Sequence, residues 1–219
     1  RHYVLLKYGP YGGGHDHPDR LNLILFGMGE MLSPDLGSPG YSIPLHGQWF
    51  RQTISHNTII VDETSQKAAS GRLLVWIEDD GFTAISALTD EAYPGVELRR
   101  SAVLTKDLLL LVDQASSNAM HSYDWIFHSL GEWDEAAVRG LQPTQHTIPL
   151  DRVEYQPLAN VQQTIADGAW QVGWISPRNQ HYTLAMASSQ PGTTVFLADG
   201  PANPATVRQP AVIVRQSGE

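Results

Sequence analysis

The chain predicts an all-β protein, a single large antiparallel β-sandwich over residues 1–219, and three observations carry that prediction. Short runs rich in Val, Ile, Leu, Thr, Phe and Trp recur along its whole length with turn residues between them. Several neighbouring runs are joined by hairpin-like turns. No window carries a helical stripe over three turns. At 219 residues there is enough chain for a substantial core, and sandwiches of this length commonly form one domain.

In order, the expected strands are Tyr3–Tyr8, Leu21–Phe26, Asn57–Asp62, Leu73–Glu78, Phe82–Leu88, Val96–Thr105, Leu108–Asp113, Tyr123–His128, Trp170–Ser176, Tyr182–Ala187, Thr193–Leu197 and Ala205–Val214. Asp79-Asp80-Gly81 and Thr105-Lys106-Asp107 read as the turns of two hairpins. The run Leu108 to Val112 is the longest apolar stretch and suits a buried strand. It falls far short of the roughly 18 residues that a membrane helix needs. Irregular connections are expected over Gln142–Leu150 and Gly200–Pro204.

The segment Tyr8–Gly47 departs from this rhythm. Gly9, Gly12, Gly13, Gly14, Gly27, Gly29, Gly37, Gly40 and Gly47 lie in it, together with Pro10, Pro18, Pro34, Pro39 and Pro44. Irregular loops on a rigid sheet are where binding and catalytic groups concentrate, although an ordinary long connection has a similar composition.

Composition removes several function classes. Formal net charge is −9, and Lys and Arg form no block, which argues against a nucleic-acid partner. The same balance offers no long-range attraction to an anionic polymer, so an acidic substrate would need a few local cations. Cysteine is absent, which rules out disulfides and thiolate metal sites. Gly12-Gly13-Gly14 lacks the Lys-Ser/Thr and the helix of a phosphate loop. The chain opens at Arg1-His2-Tyr3 directly on a strand, without a signal-peptide pattern, and further sequence is expected upstream.

Four of the nine histidines, His15, His17, His46 and His56, fall between Tyr8 and Asn57. In an extended segment, residues two apart share a face, so His15 and His17 are expected to enter one cleft. Asp35 follows on the next irregular segment and His56 just before a strand. Two imidazoles and a carboxylate with an open position make a zinc-compatible set. Each residue alone also has a plain reading: Asp35 as a turn residue in Ser33-Pro34-Asp35-Leu36-Gly37, His56 as a strand-end histidine, His46 as an exposed loop residue. His128, in an aromatic strand, reads as core or as cleft lining. Ser55-His56 is not a nucleophile pair, because neighbours on a strand face opposite sides.

The stretch Tyr8-Gly-Pro-Tyr-Gly-Gly-Gly-His-Asp-His-Pro-Asp-Arg-Leu-Asn-Leu-Ile-Leu-Phe26, with Gly29-Glu30, Asp35-Leu-Gly37, Tyr41, Gln52-Thr-Ile-Ser-His-Asn-Thr58 and Val61-Asp62, resembles the heparinase II/III-like polysaccharide lyases, a pattern shared by oligoalginate lyases. The resemblance implies a metal, usually zinc and one per chain, on His17, Asp35 and His56. It implies that His15 faces the substrate and joins catalysis and that Tyr41, whose match is looser, lines the cleft, where its phenol is the second expected catalytic group. Arg20 stands where the family often has Lys, which keeps the charge and changes its geometry. Arg20, Trp49 and Arg51 are the expected substrate contacts, with loop packing as the other reading of Trp49.

The resemblance further implies a C-terminal sandwich that works with an α-helical toroid supplied by upstream sequence, so that this chain holds half an active site. The implied reaction is β-elimination at a uronic acid of an acidic polysaccharide or oligosaccharide, which suggests a periplasmic or secreted protein. The other function class that fits is a non-catalytic carbohydrate-binding β-sandwich, since a sandwich fold hosts many functions. A helical stretch upstream of Arg1 would separate the two.

Overall fold

A computed structural model describes residues 2–144, 151–188 and 191–219. Among them the strands are β1 (Tyr3–Lys7), β2 (Asn22–Gly27), β3 (Glu30–Ser33), β4 (Ile59–Val61), β5 (Arg72–Asp79), β6 (Phe82–Tyr93), β7 (Val96–Thr105), β8 (Leu109–Ser117), β9 (His121–His128), β10 (Glu132–Trp133), β11 (Ala159–Ala166), β12 (Trp170–Ile175), β13 (His181–Met186), β14 (Thr193–Pro201) and β15 (Arg208–Gly218). Helix is confined to single turns, of which His46–Phe50 and Thr53–Ser55 matter for the site. No helix among the described residues is long and apolar enough to cross a membrane.

The strands form four antiparallel sheets, in the orders β1-β2-β3, β5-β6-β7-β8, β11-β14-β15-β9-β4 and β10-β12-β13. The expected all-β antiparallel sandwich is the observed architecture. Both expected hairpin turns are present: Asp79–Phe82 closes β5 onto β6, with Gly81 at φ +92°, and Thr105 N–H donates to Leu108 O between β7 and β8. Positive φ is the conformation that glycine adopts without a Cβ clash.

The five-stranded sheet is the spine. Its side chains alternate between two cores, as the two-residue period of a strand requires. Ile59, Val61, Trp125, Phe127, Val195, Leu197, Val212 and Val214 enter the larger core, which the other sheets cover. Ile60, Ile126, Phe196, Ala198 and Ile213 enter a second core on the opposite face. A sheet covered on both faces reads in sequence as continuous apolar runs, which is why Trp125–Phe127 and Ala211–Val214 show no polar alternation. The second core is closed by irregular chain: Leu36, Trp49, Phe50, Ile54 and Tyr155 pack onto the sheet there. The irregular chain between β3 and β4 is thus pinned to the spine by Leu36, Trp49, Phe50 and Ile54.

Three expectations are corrected. The run Leu108 to Val112 is not buried throughout, because Leu109 and Leu111 pack on the core while Leu108, Leu110 and Val112 face outward. The strand expected over Asn57–Asp62 is only Ile59–Val61, since just before it the Asn57 amide bonds the Asn22 side chain and the Thr58 hydroxyl bonds Arg20 O. Strands β3, β10 and β11 arise where none was expected. Of the irregular region Gln142–Leu150, residues 145–150 lie outside the described residues, as does Arg1.

Candidate metal and catalytic site

The site is built where three irregular segments meet at the end of β4. The first is the segment after β1: Asp16 N–H donates to Gly13 O, so a turn over residues 13–16 takes in His15, and His15-Asp16-His17 is not one extended segment as expected. Asp16 organises it, accepting from Gly12 N–H at 2.8 Å, from Lys7 Nζ at 2.5 Å and from Arg20 Nη2 at 2.7 Å. Burial works against its charge, but the Gly12 amide and the two cations prevail and hold its carboxyl down at about 2. The second segment follows β3 and carries Asp35. The third is the Thr53–Ser55 turn, which delivers His56; Thr53 Oγ1 donates to Pro18 O at 2.6 Å, tying the third segment to the first.

His17, Asp35 and His56 come together with one potential ligand atom from each within 4.8 Å of the others. The His17 and His56 rings are 5.3 Å apart, and His56 Nδ1 is 3.3 Å from Asp35 Oδ2. His56 is 2% exposed, yet neither of its ring nitrogens has a hydrogen-bond partner in acceptable geometry. The buried Asp19 brings a further carboxylate oxygen, Oδ2, 3.6 Å from His56 Nδ1, and this oxygen also lacks a partner. Leaving such groups unsatisfied is costly. Unpartnered imidazole nitrogens converging with carboxylates are the donor set that a divalent cation of zinc type takes, so the residues present fit a metal.

Electrostatics point the same way. Burial would raise the Asp35 carboxyl, but His56, the Gly37 amide and His17 together hold it well below the usual carboxylate range. Burial and the neighbouring His56 push the His17 imidazole down, favouring the neutral form that ligates metal.

Beside this cluster stands an exposed pair. His15 Nδ1 and the Tyr41 hydroxyl are 2.6 Å apart, and Tyr41 is 66% exposed. A chain of rings connects the pair to the cluster: Tyr41 contacts His46 at a centroid distance of 4.8 Å, and His46 lies 6.4 Å from His17. His46, for which an exposed loop position was one of two readings from sequence, is 8% exposed and is hydrogen-bonded through Nδ1 to Ser38 Oγ at 3.0 Å. Its membership of the histidine-rich Tyr8–Asn57 segment was the available signal.

Two expected substrate contacts are corrected. Trp49 is fully buried in the second core, donates its indole N–H to Pro201 O at 3.0 Å and packs edge-on to His128. A Cβ on Gly200 would meet Trp49 Cζ2 at 2.8 Å, so glycine is needed for that approach. Trp49 anchors the loop and offers no ring face to a sugar. Arg20 is also buried, with its guanidinium on Asp16, Asp19 and Gly9 O, where it knits the His-Asp-His turn together. Arg51 differs: it is half-buried, and its guanidinium makes no ion pair or hydrogen bond among the described residues. His128 is core, its Nε2 donating to Ile54 O at 2.7 Å. The Ser55 hydroxyl donates to Phe50 O and Gln52 O and is no nucleophile.

Residues missed from sequence include Asn22 and Asn57. Asn22 Nδ2 donates to Asp35 Oδ2 at 2.8 Å, and its Oδ1 accepts the Asn57 amide at 2.9 Å. Asn57 Nδ2 donates to Leu23 O and Ser33 Oγ, and its Oδ1 accepts the His128 amide. Asparagines flanking strands give no periodic signal; the signal available was that both lie in the stretches that carry the family resemblance.

Comparison with known proteins follows the same geometry. A family model described as heparinase II/III-like, C-terminal, matches residues 1–211. An alginate lyase of Stenotrophomonas maltophilia is 25% identical over 236 aligned residues, covering 95% of this chain and 32% of that enzyme. A heparin-sulfate lyase of Pedobacter heparinus is 29% identical over 121 residues, covering 53% of this chain and 18% of the enzyme. In three dimensions, a heparan sulfate lyase from Pedobacter heparinus superposes with a TM-score of 0.66 at 19% identity, over 99% of this chain and 30% of that one, a likeness of fold. The chain thus spans at most about a third of the length of these relatives. With the family model spanning nearly its whole length, the chain belongs to the heparinase II/III-like polysaccharide lyase family, through that family's C-terminal domain.

Proposed function

We propose that this chain is the β-sandwich half of a lyase that cleaves an acidic, uronate-containing polysaccharide or oligosaccharide by β-elimination, with one zinc ion on His17, Asp35 and His56. The observation that carries the reading is the exposed His15–Tyr41 pair, hydrogen-bonded at 2.6 Å beside the buried cluster. In the elimination, a base takes the proton on C5, next to the carboxylate. The released electron pair forms the C4–C5 double bond, the C4–O bond breaks, and the leaving oxygen takes up a proton. A tyrosine–histidine pair supplies both needs, since one side chain can take up the proton and its hydrogen-bonded neighbour can hand one to the leaving oxygen. A bound zinc would supply positive charge and clamp the three segments. Arg51, the uncommitted guanidinium, is the proposed contact for the substrate carboxylate.

The names of the relatives, alginate lyase and heparin-sulfate lyase, support an acidic glycan as substrate. The missing partner is the α-helical toroid of the same polypeptide, which would close the other side of the cleft. Handling of such polymers places the protein in the periplasm or outside the cell; cell fractionation that finds it in the cytoplasm would remove that part of the reading.

The test uses the complete enzyme. His15→Ala and Tyr41→Phe are each expected to slow formation of unsaturated product by about 10²–10⁴-fold, the usual contribution of a general acid or base. Undiminished rates in both would overturn the assignment. Elemental analysis should find one zinc per chain in wild type and none in His17→Ala.

A further inference from the structure

We infer that Asn22 is a positioning residue for the metal ligand Asp35, and that it sets the affinity of the site without touching the ion. The inference rests on the zinc reading above. Asp35 is an awkward ligand to hold in place. It sits on an irregular segment after β3, and no strand ladder fixes its backbone. Its carboxylate nevertheless has a defined orientation, because each oxygen has a donor. Gly37 N–H donates to Oδ1 at 2.8 Å and Asn22 Nδ2 to Oδ2 at 2.8 Å. The Gly37 bond is local, closing a turn two residues long. The Asn22 bond is the one that relates Asp35 to the rest of the site.

The other end of the Asn22 amide makes that relation specific. Its Oδ1 accepts the backbone N–H of Asn57 at 2.9 Å, the residue that follows His56. A single planar amide, 1% exposed, therefore spans from one proposed ligand to the chain that presents another. An amide is suited to this task where a carboxylate or hydroxyl is not. It has a donor face for the charged Asp35 and an acceptor face for the Asn57 amide, held at a fixed separation. The far side of Asn57 is locked in turn by Leu23 O, Ser33 Oγ and the His128 amide. Distance and orientation between Asp35 and His56 are thus transmitted through Asn22 into the spine of the sandwich. Outer residues that orient metal ligands in this way typically change metal affinity by 10–100-fold when removed.

The experiment is a zinc competition titration on wild type, Asn22→Ala and Ser33→Ala, with the absorption spectrum of the cobalt(II) forms and the thermal midpoint of the metal-free proteins. Asn22→Ala is expected to bind zinc 10–100-fold more weakly and to shift the cobalt spectrum. Ser33→Ala loosens the same polar network at Asn57 without removing a donor to the Asp35 carboxylate, and should lower the thermal midpoint with zinc affinity within about threefold of wild type. Equal zinc affinity and an unchanged cobalt spectrum in Asn22→Ala would overturn the inference while the zinc reading stood. Failure of wild type itself to bind zinc would instead remove the reading on which it rests. If Asn22→Ala does not fold, Asn22→Asp keeps the acceptor for the Asn57 amide and replaces the donor to Asp35 with a like charge. An unchanged cobalt spectrum in that variant also overturns the inference.

Discussion

Two buried polar clusters lie on the same sheet and differ in one respect. Around Asp124, on β9, the groups close on each other. Tyr155 OH donates to Oδ2 at 2.5 Å, and Arg215 donates from Nε and Nη2 at 2.7 Å each. Arg215 also reaches Glu63 Oε1 at 2.7 Å and lies over the Tyr155 and Phe196 rings. Neither oxygen of Asp124 is left over. Around His56 the types of residue are similar, yet both imidazole nitrogens and Asp19 Oδ2 remain without partners. Unpartnered buried atoms occur elsewhere, at Trp170, Trp174 and Gln209 for instance, but His17, Asp35 and His56 are the one group of potential metal ligands that gathers among the described residues. A self-satisfied cluster is explained by holding the fold together. A convergent, unsatisfied one is explained by something that arrives later.

If that distinction is right, breaking the closed cluster should hurt most. Asp124→Ala leaves the Tyr155 hydroxyl and Arg215 without their acceptor and is expected to cost about 3–5 kcal/mol of stability, read by urea unfolding. A cost below about 1 kcal/mol would mean that closure is not what Asp124 provides. The next effect is pH-dependent and belongs to the open side. Burial, aided by His56 and opposed by the hydrogen bond to Ile54 O, pushes His128 down to about 4. Its neutral form is the folded one, so its contribution is complete above an unfolded value near 6.5 and is lost as pH falls from there to about 4. The loss is of order 3 kcal/mol. His128→Gln should flatten the stability profile across that window, and an unchanged slope would exonerate His128.

The closed and open clusters also differ in how legible they were in sequence. The strand runs around the spine were plain, because a sheet buried on both faces leaves uninterrupted Ile, Val and Phe. Strand β11, with its Asn, Gln and Thr, carries its buried side at Val161, Thr164 and Ala166, too small or polar to signal a strand. The candidate ligands His17, Asp35 and His56 were legible through the family pattern, since spacing alone could not say that three loops converge. Their support was not. Trp49 and Arg20 carry the residue types of substrate contacts, and only packing reveals them as an anchor and an internal brace. The extended reading of His15-Asp16-His17 failed at His15, which sits in a turn closed by the Asp16 amide on Gly13 O and by the Gly12 amide on the Asp16 carboxylate.

Metal should separate the two clusters in a single titration. Zinc at about a hundredfold excess over its dissociation constant should stabilise wild type by about 2.7 kcal/mol, and chelation should reverse it. Asp124→Ala, although weakened, should show the same increment, because distant and independent sites add. A reduced increment would mean that the clusters are coupled through the sheet.

The sharpest discrimination comes from the smallest effect. In the absence of metal, His56→Leu removes two buried nitrogens that have no partners and keeps most of the side-chain volume. Replacing an unsatisfied polar group by an apolar one of similar shape is close to neutral or stabilising, while losing the attraction between His56 and Asp35 works the other way, so metal-free stability should change by less than about 2 kcal/mol. The zinc increment should vanish completely. A histidine that served the fold would behave in the opposite way, costing several kcal/mol without metal, as Asp124 is expected to. The variant therefore reads the purpose of a buried polar residue from the difference between its two states, which neither burial nor residue type reveals.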